Sequence, residues 1–246
     1  MKVACTGRSR ALGARIAERL GAALVETRFS RFPDGEIYLQ TGSLDDTTVL
    51  VGSLHVSDSL VELLLLIDAC HRSEVTLVVP YLGYARQDRE FRPGEPVSAR
   101  AMARALSTGV SRVVTVNAHK ESVLSHFTVP ASQVSLEAEI ADYIATLGLG
   151  NPLILAPDRG AAPFVASVAA RGGWETDHLE KTRISGSEVR VEPRKGDAWT
   201  GDVVLVDDII STGGTLATAA RMLIAQGARG VHAVCVHGLF AGGALD

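Results

Sequence analysis

The sequence is poor in the features that mark secreted, membrane-bound and nucleic-acid-binding proteins. Its three cysteines, Cys5, Cys70 and Cys235, lie far apart without metal-ligand spacing, so we expect small buried residues of a reduced, cytoplasmic protein. The net charge of −4 lacks the basic excess that indicates a nucleic-acid partner. The most apolar stretch, residues 60–67, is too short to cross a bilayer and contains Glu62, so we expect no membrane partner.

Other familiar patterns are missing too. No Walker A pattern, GxxxxGK[ST], occurs in the chain, so any ATP site must be built from other loops. The first residues begin a predicted strand directly, without the charged and then apolar segment of a secretory signal. No low-complexity segment or long linker interrupts the 246 residues, which suffice for one large domain or two small ones.

Predicted strands and helices alternate along the chain, which is typical of parallel sheets flanked by helices. The first series contains strands near residues 3–6, 23–29, 49–52, 75–80 and 113–116. The series restarts after residues 148–152, so we predict an α/β protein with one domain at 1–140 and another at 141–246. In such folds, ligands bind beyond the carboxyl ends of the strands.

The segment VVLVDDIISTGGT, residues 203–215, has the residue types expected of a site for a phosphorylated sugar. A buried strand is predicted to end at Asp207 and Asp208, whose carboxylates would repel phosphate but can accept hydrogen bonds from vicinal ribose hydroxyls. Hydroxyl groups and glycines then precede a predicted helix, whose N-terminus favours an anion. These residues are Ser211, Thr212, Gly213, Gly214 and Thr215. An ordinary capped strand-to-helix turn is the alternative.

Two upstream loops have features of a nucleotide site. In FPDGE, residues 32–36, a turn signal lies beside Phe32, which can stack on a flat base; a plain hairpin is the alternative. The segment PYLGYARQDR, residues 80–89, follows a buried strand and combines tyrosines, arginines and an amide. Its position favours contact with a polyanion or a base, and a solvated charged loop is the alternative.

Single residues at other predicted strand ends add to this pattern. His119 is expected at the same sheet edge as Arg86, although a structural histidine is the alternative. Asp158 either caps the next helix or holds Mg²⁺ beside phosphates. Lys181 and Arg183 alternate onto one side of an extended segment, which is either a flap over a polyphosphate or an exposed hairpin.

In combination, these motifs resemble the ribose-phosphate diphosphokinase (PRPP synthetase) family, especially its archaeal-type members. They occur in the family's order from about residue 2 to the end, whereas the segment at 203–215 alone is shared with phosphoribosyltransferases. The resemblance implies two tandem phosphoribosyltransferase-like domains, each a mostly parallel sheet flanked by helices. It also implies transfer of the diphosphoryl group of ATP to the anomeric oxygen of ribose 5-phosphate, with Mg²⁺, to give PRPP and AMP.

The resemblance further implies a role for each matching residue. Lys181 and Arg183 would be catalytic, and His119 and Asp158 would lie at the metal. Asp207, Asp208 and residues 211–215 would bind ribose 5-phosphate. The ATP-binding residues would be Phe32, Asp34 and Glu36, contributed across the interface of a homodimer or larger homo-oligomer, together with Arg86, Gln87 and His119.

The chain departs from the family pattern in two places. Asn117 stands where many relatives have an aspartate two residues before the histidine. The sequence ends at Asp246, whereas family members usually continue for several tens of residues, so this is either a truncated or partial sequence or a shortened variant. Two other functions stay open: a phosphoribosyltransferase that consumes PRPP, and a non-catalytic regulatory paralogue that binds nucleotides.

Overall fold

The computed structural model describes residues 1–183, 189–193 and 199–244, and for 181–183 and 189–193 it describes the backbone alone. Internal contacts divide the chain into two compact units, Met1–Val134 and Ser135–Asp246. The helix α4 (Glu137–Thr146) follows this division directly and packs against elements of the second unit. Both units are α/β, with parallel strands flanked by helices, which confirms the predicted fold class.

The first unit, which is described completely, is built around one parallel sheet of six strands in the order β2-β1-β5-β6-β7-β8. Its elements are β1 (Lys2–Cys5), α1 (Arg10–Leu20), β2 (Ala23–Leu24), β3 (Thr27–Arg31), β4 (Ile37–Thr41), β5 (Thr47–Val51), α2 (Ser57–Ala69), β6 (Glu74–Val79), α3 (Ser98–Ser107), β7 (Arg112–Val116) and β8 (Ala131–Val134).

Burial explains why these segments form strands and helices. The central strand β5 has four consecutive buried residues, as expected for a parallel strand covered on both faces. Helix α2 buries Leu63, Leu66 and Ile67 at a spacing of three and four residues, which forms one apolar stripe. This stripe packs into the larger core of the unit together with Leu50 and Leu77 of the sheet.

The strand predicted at residues 23–29 is two strands with different partners. β2 pairs in parallel with β1, whereas β3 leaves the sheet and pairs with β4 as an antiparallel hairpin. Thr27 fixes the start of this departure, because its hydroxyl donates a hydrogen bond of 2.7 Å to the carbonyl oxygen of Cys5. The sequence pattern is continuous across this point, so periodicity alone did not reveal the change of partner.

The second unit also has a mainly parallel sheet, with the order β11-β10-β9-β12-β13 in its described part and only the β10–β11 pair antiparallel there. Its elements beside α4 are β9 (Leu153–Ala156), α5 (Ala162–Gly172), β10 (Thr176–Arg183), β11 (Val189–Pro193), β12 (Asp202–Ile210), α6 (Gly214–Ala225) and β13 (Gly230–Gly238).

The strand β12 is longer than its apolar run predicts. It continues through Asp207 and Asp208 to Ile210, because β13 pairs with it over that whole length. Residues 203–206 are completely buried, and the two aspartates beyond them are half-buried. The paired acids therefore lie on a rigid strand, with their backbone held by the register Asp207–Cys235.

Among the described residues, no helix combines the length and the apolar character that crossing a bilayer requires.

The loop that follows β6 approaches the loop after β5 very closely. Leu82 forms a parallel bridge with Leu54, and the amide of Leu54 donates a hydrogen bond of 2.8 Å to the carbonyl oxygen of Tyr81. A Cβ atom on Gly83 would lie 1.8 Å from the carbonyl oxygen of Leu54. Only glycine fits at this crossing, so the backbone packing there fixes the start of the Arg86 loop.

We expect Gly83→Ala to destabilise the protein by about 1–3 kcal/mol, because the added methyl group forces the two loops apart. Thermal or urea unfolding measures the change. Gly7→Ala is the matched control, since a Cβ atom there meets no atom within 4 Å and the variant should unfold like the wild type. Equal stability of the two variants would contradict the close approach.

Candidate active site

In the first unit, the loops after β6 and β7 leave neighbouring parallel strands at the same edge of the sheet. The loop after β6 turns at Tyr84, which has a φ of +64°, a conformation rare outside glycine. The Tyr84 hydroxyl lies 2.7 Å from Oγ of Ser57 at the start of α2. This contact holds the bend that presents the predicted nucleotide residues Arg86 and Gln87.

Hydrogen bonds to both the side chain and the backbone hold Gln87 in place. The hydroxyl of Ser98, the first residue of α3, donates a hydrogen bond of 2.5 Å to Oε1 of Gln87. The amide of Ala99 donates to the carbonyl oxygen of Gln87 at 3.2 Å. Arg86 beside it is exposed, so its guanidinium group is accessible to an anion.

His119 lies at the end of β7, after a sharp change of chain direction. Asn117 has a φ of +38°, which asparagine tolerates better than most residues, and its amide donates a hydrogen bond of 3.0 Å to the carbonyl oxygen of Val134. The amide of Ala118 donates to Oε1 of Gln133 at 3.0 Å. These contacts hold the backbone before His119, which is exposed at the same strand-end edge as the loop after β6.

The remaining predicted ATP residues, Phe32, Asp34 and Glu36, are exposed at the tip of the hairpin between β3 and β4. The amide of Glu36 donates a hydrogen bond of 3.2 Å to Oδ1 of Asp34, as in an Asx turn. Arg31 steadies the tip, since its guanidinium group donates to the carbonyl oxygen of Gly35 and pairs with Asp58 of α2. Phe32 packs against Tyr38 in a T-shaped arrangement and stays 49% exposed, so part of its ring is accessible for stacking.

In the second unit, negative charge is concentrated at the carboxyl edge of the sheet. Asp207 and Asp208 lie on β12, and Asp158 follows the neighbouring parallel strand β9. Burial, a side-chain hydrogen bond with Asp208, and repulsion from Asp208 and the more distant Asp158 together raise the pKa of Asp207 to about 7. A site with this field favours a cation or hydroxyl donors over a second anion.

The segment after β12 is suited to phosphate. Gly213 is the N-cap of α6 with a φ of +71°, and no side chain forms a capping hydrogen bond there. The first amide groups of a helix have no acceptor inside the helix, so those of α6 remain for an anion at the positive end of the helix dipole. Around this N-terminus, Ser211 and Gly213 are half-buried and the other predicted residues, Thr212, Gly214 and Thr215, are exposed.

Asp158 takes part in local structure as a helix cap does. Its Oδ1 accepts hydrogen bonds from the amides of Gly160 at 2.8 Å and Ala161 at 3.1 Å, just before α5. These hydrogen bonds orient the carboxyl group through Oδ1, and Oδ2 takes no part in them. Within the described part of the chain, no three histidine, cysteine or acidic side chains converge as a complete metal cage.

The predicted flap residues Lys181 and Arg183 lie on β10, where their backbone pairs with Val191 and Val189 of β11. The two residues occupy alternate positions of the strand backbone. Their side chains, and residues 184–188 of the predicted flap, lie outside the described part of the structure.

Tertiary packing adds residues that the sequence reasoning did not single out. Ser98 orients Gln87, Gln133 of β8 supports the His119 loop, and Lys120 pairs with Asp88. A serine at a predicted helix start was the only available signal for Ser98. The strand β8 was not predicted because its sequence ASQV has no apolar run and none of its residues is fully buried, so Gln133 had no assigned place.

Comparison with known proteins points to one family. Residues 1–109 match the model of the N-terminal domain of ribose phosphate pyrophosphokinase, and residues 127–244 match the phosphoribosyl transferase domain. A ribose-phosphate pyrophosphokinase of Methanosarcina acetivorans is 45% identical over 240 residues, which cover 96% of this chain and 84% of that protein. The enzyme of the same name from Methanosarcina mazei is 47% identical over 232 residues, covering 93% and 78%.

Solved structures agree with this result. The crystal structure of phosphoribosylpyrophosphate synthetase from Mycobacterium smegmatis matches with a TM-score of 0.87 and 28% identity. The match covers 99% of this chain and 83% of that one.

The raised pKa of Asp207 predicts a stability that falls with pH. The folded protein keeps the Asp207 proton up to about pH 7, whereas the unfolded chain keeps it only up to about pH 3.8. The contribution of this proton to the stability of the fold is therefore complete below pH 3.8 and is lost as the pH rises through 7. Asp207→Asn removes the buried charge. We expect the variant to be more stable than the wild type at pH 8, by on the order of 1–2 kcal/mol after solvent screening, and this difference in stability to be clearly smaller at pH 5.

Thermal unfolding without divalent cations at both pH values measures this difference. Asp142→Asn, at an exposed position on α4, is the control and should show no gain that grows with pH. If the wild type were more stable than Asp207→Asn at pH 8, the proposed repulsion among the acidic side chains would be contradicted.

Proposed function

The chain belongs to the ribose-phosphate pyrophosphokinase family, and on that premise we propose that it transfers the diphosphoryl group of ATP to the anomeric oxygen of ribose 5-phosphate. The products are PRPP, a precursor in nucleotide biosynthesis, and AMP. The observation that carries the proposal is the pairing of Asp207 and Asp208 on β12 with the uncapped N-terminus of α6 a few residues later. One end of this site suits sugar hydroxyls and the other suits phosphate.

In this proposal, ribose 5-phosphate lies along the carboxyl edge of the second unit. Asp207 and Asp208 accept hydrogen bonds from the ribose hydroxyls, which orients the sugar. The 5-phosphate binds at the α6 N-terminus, where it contacts backbone amides and hydroxyl groups. The phosphate-binding residues are Ser211, Thr212, Gly213, Gly214 and Thr215.

ATP is assigned to the strand-end loops of the first unit and to its hairpin. Arg86 and Gln87 supply a cation and an amide on a loop whose backbone is fixed by α3. Phe32 supplies an exposed ring for the adenine, and the carboxylates of Asp34 and Glu36 lie at the same hairpin tip. His119 lies at the neighbouring strand end and is assigned to the triphosphate.

We assign His119 and Asp158 as the residues that would hold Mg²⁺ with the ATP triphosphate. The acidic edge of the second unit fits a cation, because burial and repulsion from Asp208 and Asp158 together raise the pKa of Asp207. When bound, Mg²⁺ supplies neutralisation of phosphate charge and orientation of the transferred group. Phosphate oxygens and water would provide its other ligands, as is usual for Mg²⁺.

The protein's part in the reaction is positioning and charge neutralisation. The anomeric hydroxyl oxygen attacks the β-phosphorus of ATP, and the bond from this phosphorus to the AMP oxygen breaks. AMP leaves along the line of attack, and the hydroxyl proton passes to solvent. Asp207 and Asp208 hold the sugar in the attacking orientation and do not act as bases. Lys181 and Arg183 of β10 provide positive charge for the transition state.

The cellular location and the binding partners of the protein are part of the same proposal. The protein is assigned to the cytoplasm, which agrees with three free cysteines of which Cys5 and Cys70 are buried. Its partners are its two substrates and further copies of the chain, as a homodimer or larger homo-oligomer in which the hairpin reaches the neighbour's site. Neither nucleic acid nor a membrane is assigned as a partner.

One assay separates the proposed activity from its alternatives. Purified protein is incubated with Mg²⁺, ATP and ribose 5-phosphate, and AMP and PRPP are quantified together. Equal amounts of AMP and PRPP are expected. PRPP consumption that requires a nucleobase would instead indicate a phosphoribosyltransferase, and ATP binding without either product would indicate a regulatory paralogue.

We expect Lys181→Ala to lower kcat by two orders of magnitude or more, since a single cation at a phosphoryl-transfer transition state is worth about 10³–10⁵ in rate. The melting temperature should stay near that of the wild type. Lys181→Arg keeps the charge and should retain more activity. Arg221→Ala, which removes an exposed cation from α6, is the control with wild-type turnover. Near-normal kcat in Lys181→Ala would remove the flap from the mechanism.

A further inference from the structure

An ion pair joins the two strand-end loops of the first unit. Nζ of Lys120 donates a hydrogen bond of 2.6 Å to Oδ2 of Asp88 across 32 residues of sequence. Asp88 follows Gln87 in the loop after β6, and Lys120 follows His119 in the loop after β7. Each partner is therefore the chain neighbour of a residue assigned to ATP.

The Asp88 side chain is enclosed by protein. It is 9% exposed, whereas the Lys120 side chain is 48% exposed. Oδ1 of Asp88 is buried and has no hydrogen-bond partner among the described residues. Without Lys120, this carboxylate would be buried and uncompensated, which is costly enough to drive the loop towards water.

The rest of the β6 loop is already fixed on its other sides. Tyr84 contacts Ser57 of α2, and Gln87 accepts the hydrogen bond of Ser98 in α3. Neither contact reaches the loop after β7. The ion pair of Asp88 and Lys120 connects the two loops directly, so it restrains the distance between them.

We propose that Asp88 and Lys120 are positioning residues for ATP, which hold Arg86 and Gln87 at a fixed distance from His119. This inference rests on the proposed function, because it assigns no new ligand to these loops. The triphosphate has to contact both loops at once, and displacement of one loop by about 1 Å is enough to weaken binding and reaction strongly.

A purely electrostatic role of the pair makes a different prediction. If only local charge mattered, Asp88→Asn would leave an extra positive charge and tighten ATP binding, whereas Lys120→Met would weaken it. Positioning requires both changes to act in the same direction, since each breaks the same link. The sign of the Asp88→Asn effect therefore separates the two roles.

The experiment measures the Kd of ATP by calorimetry, and KM and kcat with both substrates, for Asp88→Asn, Lys120→Met and the double variant. We expect each single variant to raise the Kd and KM for ATP by about tenfold, with KM for ribose 5-phosphate within about twofold of the wild type. The double variant should bind ATP no more weakly than either single variant, because each single substitution already breaks the same ion pair. Lys120→Arg, which keeps the ion pair, should bind ATP nearly as the wild type does.

Lys2→Met is the matched control, since Lys2 forms a comparable pair with Asp45 at 3.2 Å before the amino end of β5 in the same unit. It should leave the Kd for ATP unchanged. Two results would overturn the positioning role without affecting the proposed function. One is tighter ATP binding in Asp88→Asn, and the other is a lowered melting temperature with an unchanged Kd for ATP in both single variants. A wild type that neither binds ATP nor forms PRPP would instead overturn the proposed function.

Discussion

Parallel strand pairing is the constraint on which both units depend, because it brings strand ends that are distant in sequence to one edge. In the first unit, β6 and β7 are neighbours, so the loops with Gln87 and His119 leave the sheet together. In the second unit, β9 and β12 are neighbours, so Asp158 approaches the paired acids. The hydrogen-bonded backbone provides the rigidity, and the side chains at the edge provide the chemistry.

This arrangement has an electrostatic cost in the free protein. The long β12 strand carries Asp207 into a half-buried position beside Asp208, and burial with repulsion raises its pKa to about 7. A packed structure tolerates such a group because the surrounding core, including the fully buried Val203 and Leu205, holds the strand in place. Hydroxyl donors or a cation bound at this edge would relieve this repulsion.

Much of the fold was predictable from the periodicity of apolar residues. The alternation of strands and helices gave the α/β class, and most elements lie within a few residues of their predicted positions. The errors have physical reasons. The segment at 23–29 changes partners without a change in its pattern. The strand β8 lacks the apolar run that marks the other short strands, and β12 is extended by pairing with β13.

The sequence alone determined the types of chemistry present, because paired acids, small-residue turns and cation-rich loops have restricted uses at strand ends. It also determined the family, through the order of several weak motifs. Only the tertiary structure decided how these residues are held. The bonds of Ser98 to Gln87 and of Lys120 to Asp88 span 11 and 32 residues, and no local pattern records such contacts. They arise because β6, α3 and β7 pack in one unit, and packing between distant segments is a property of the folded chain.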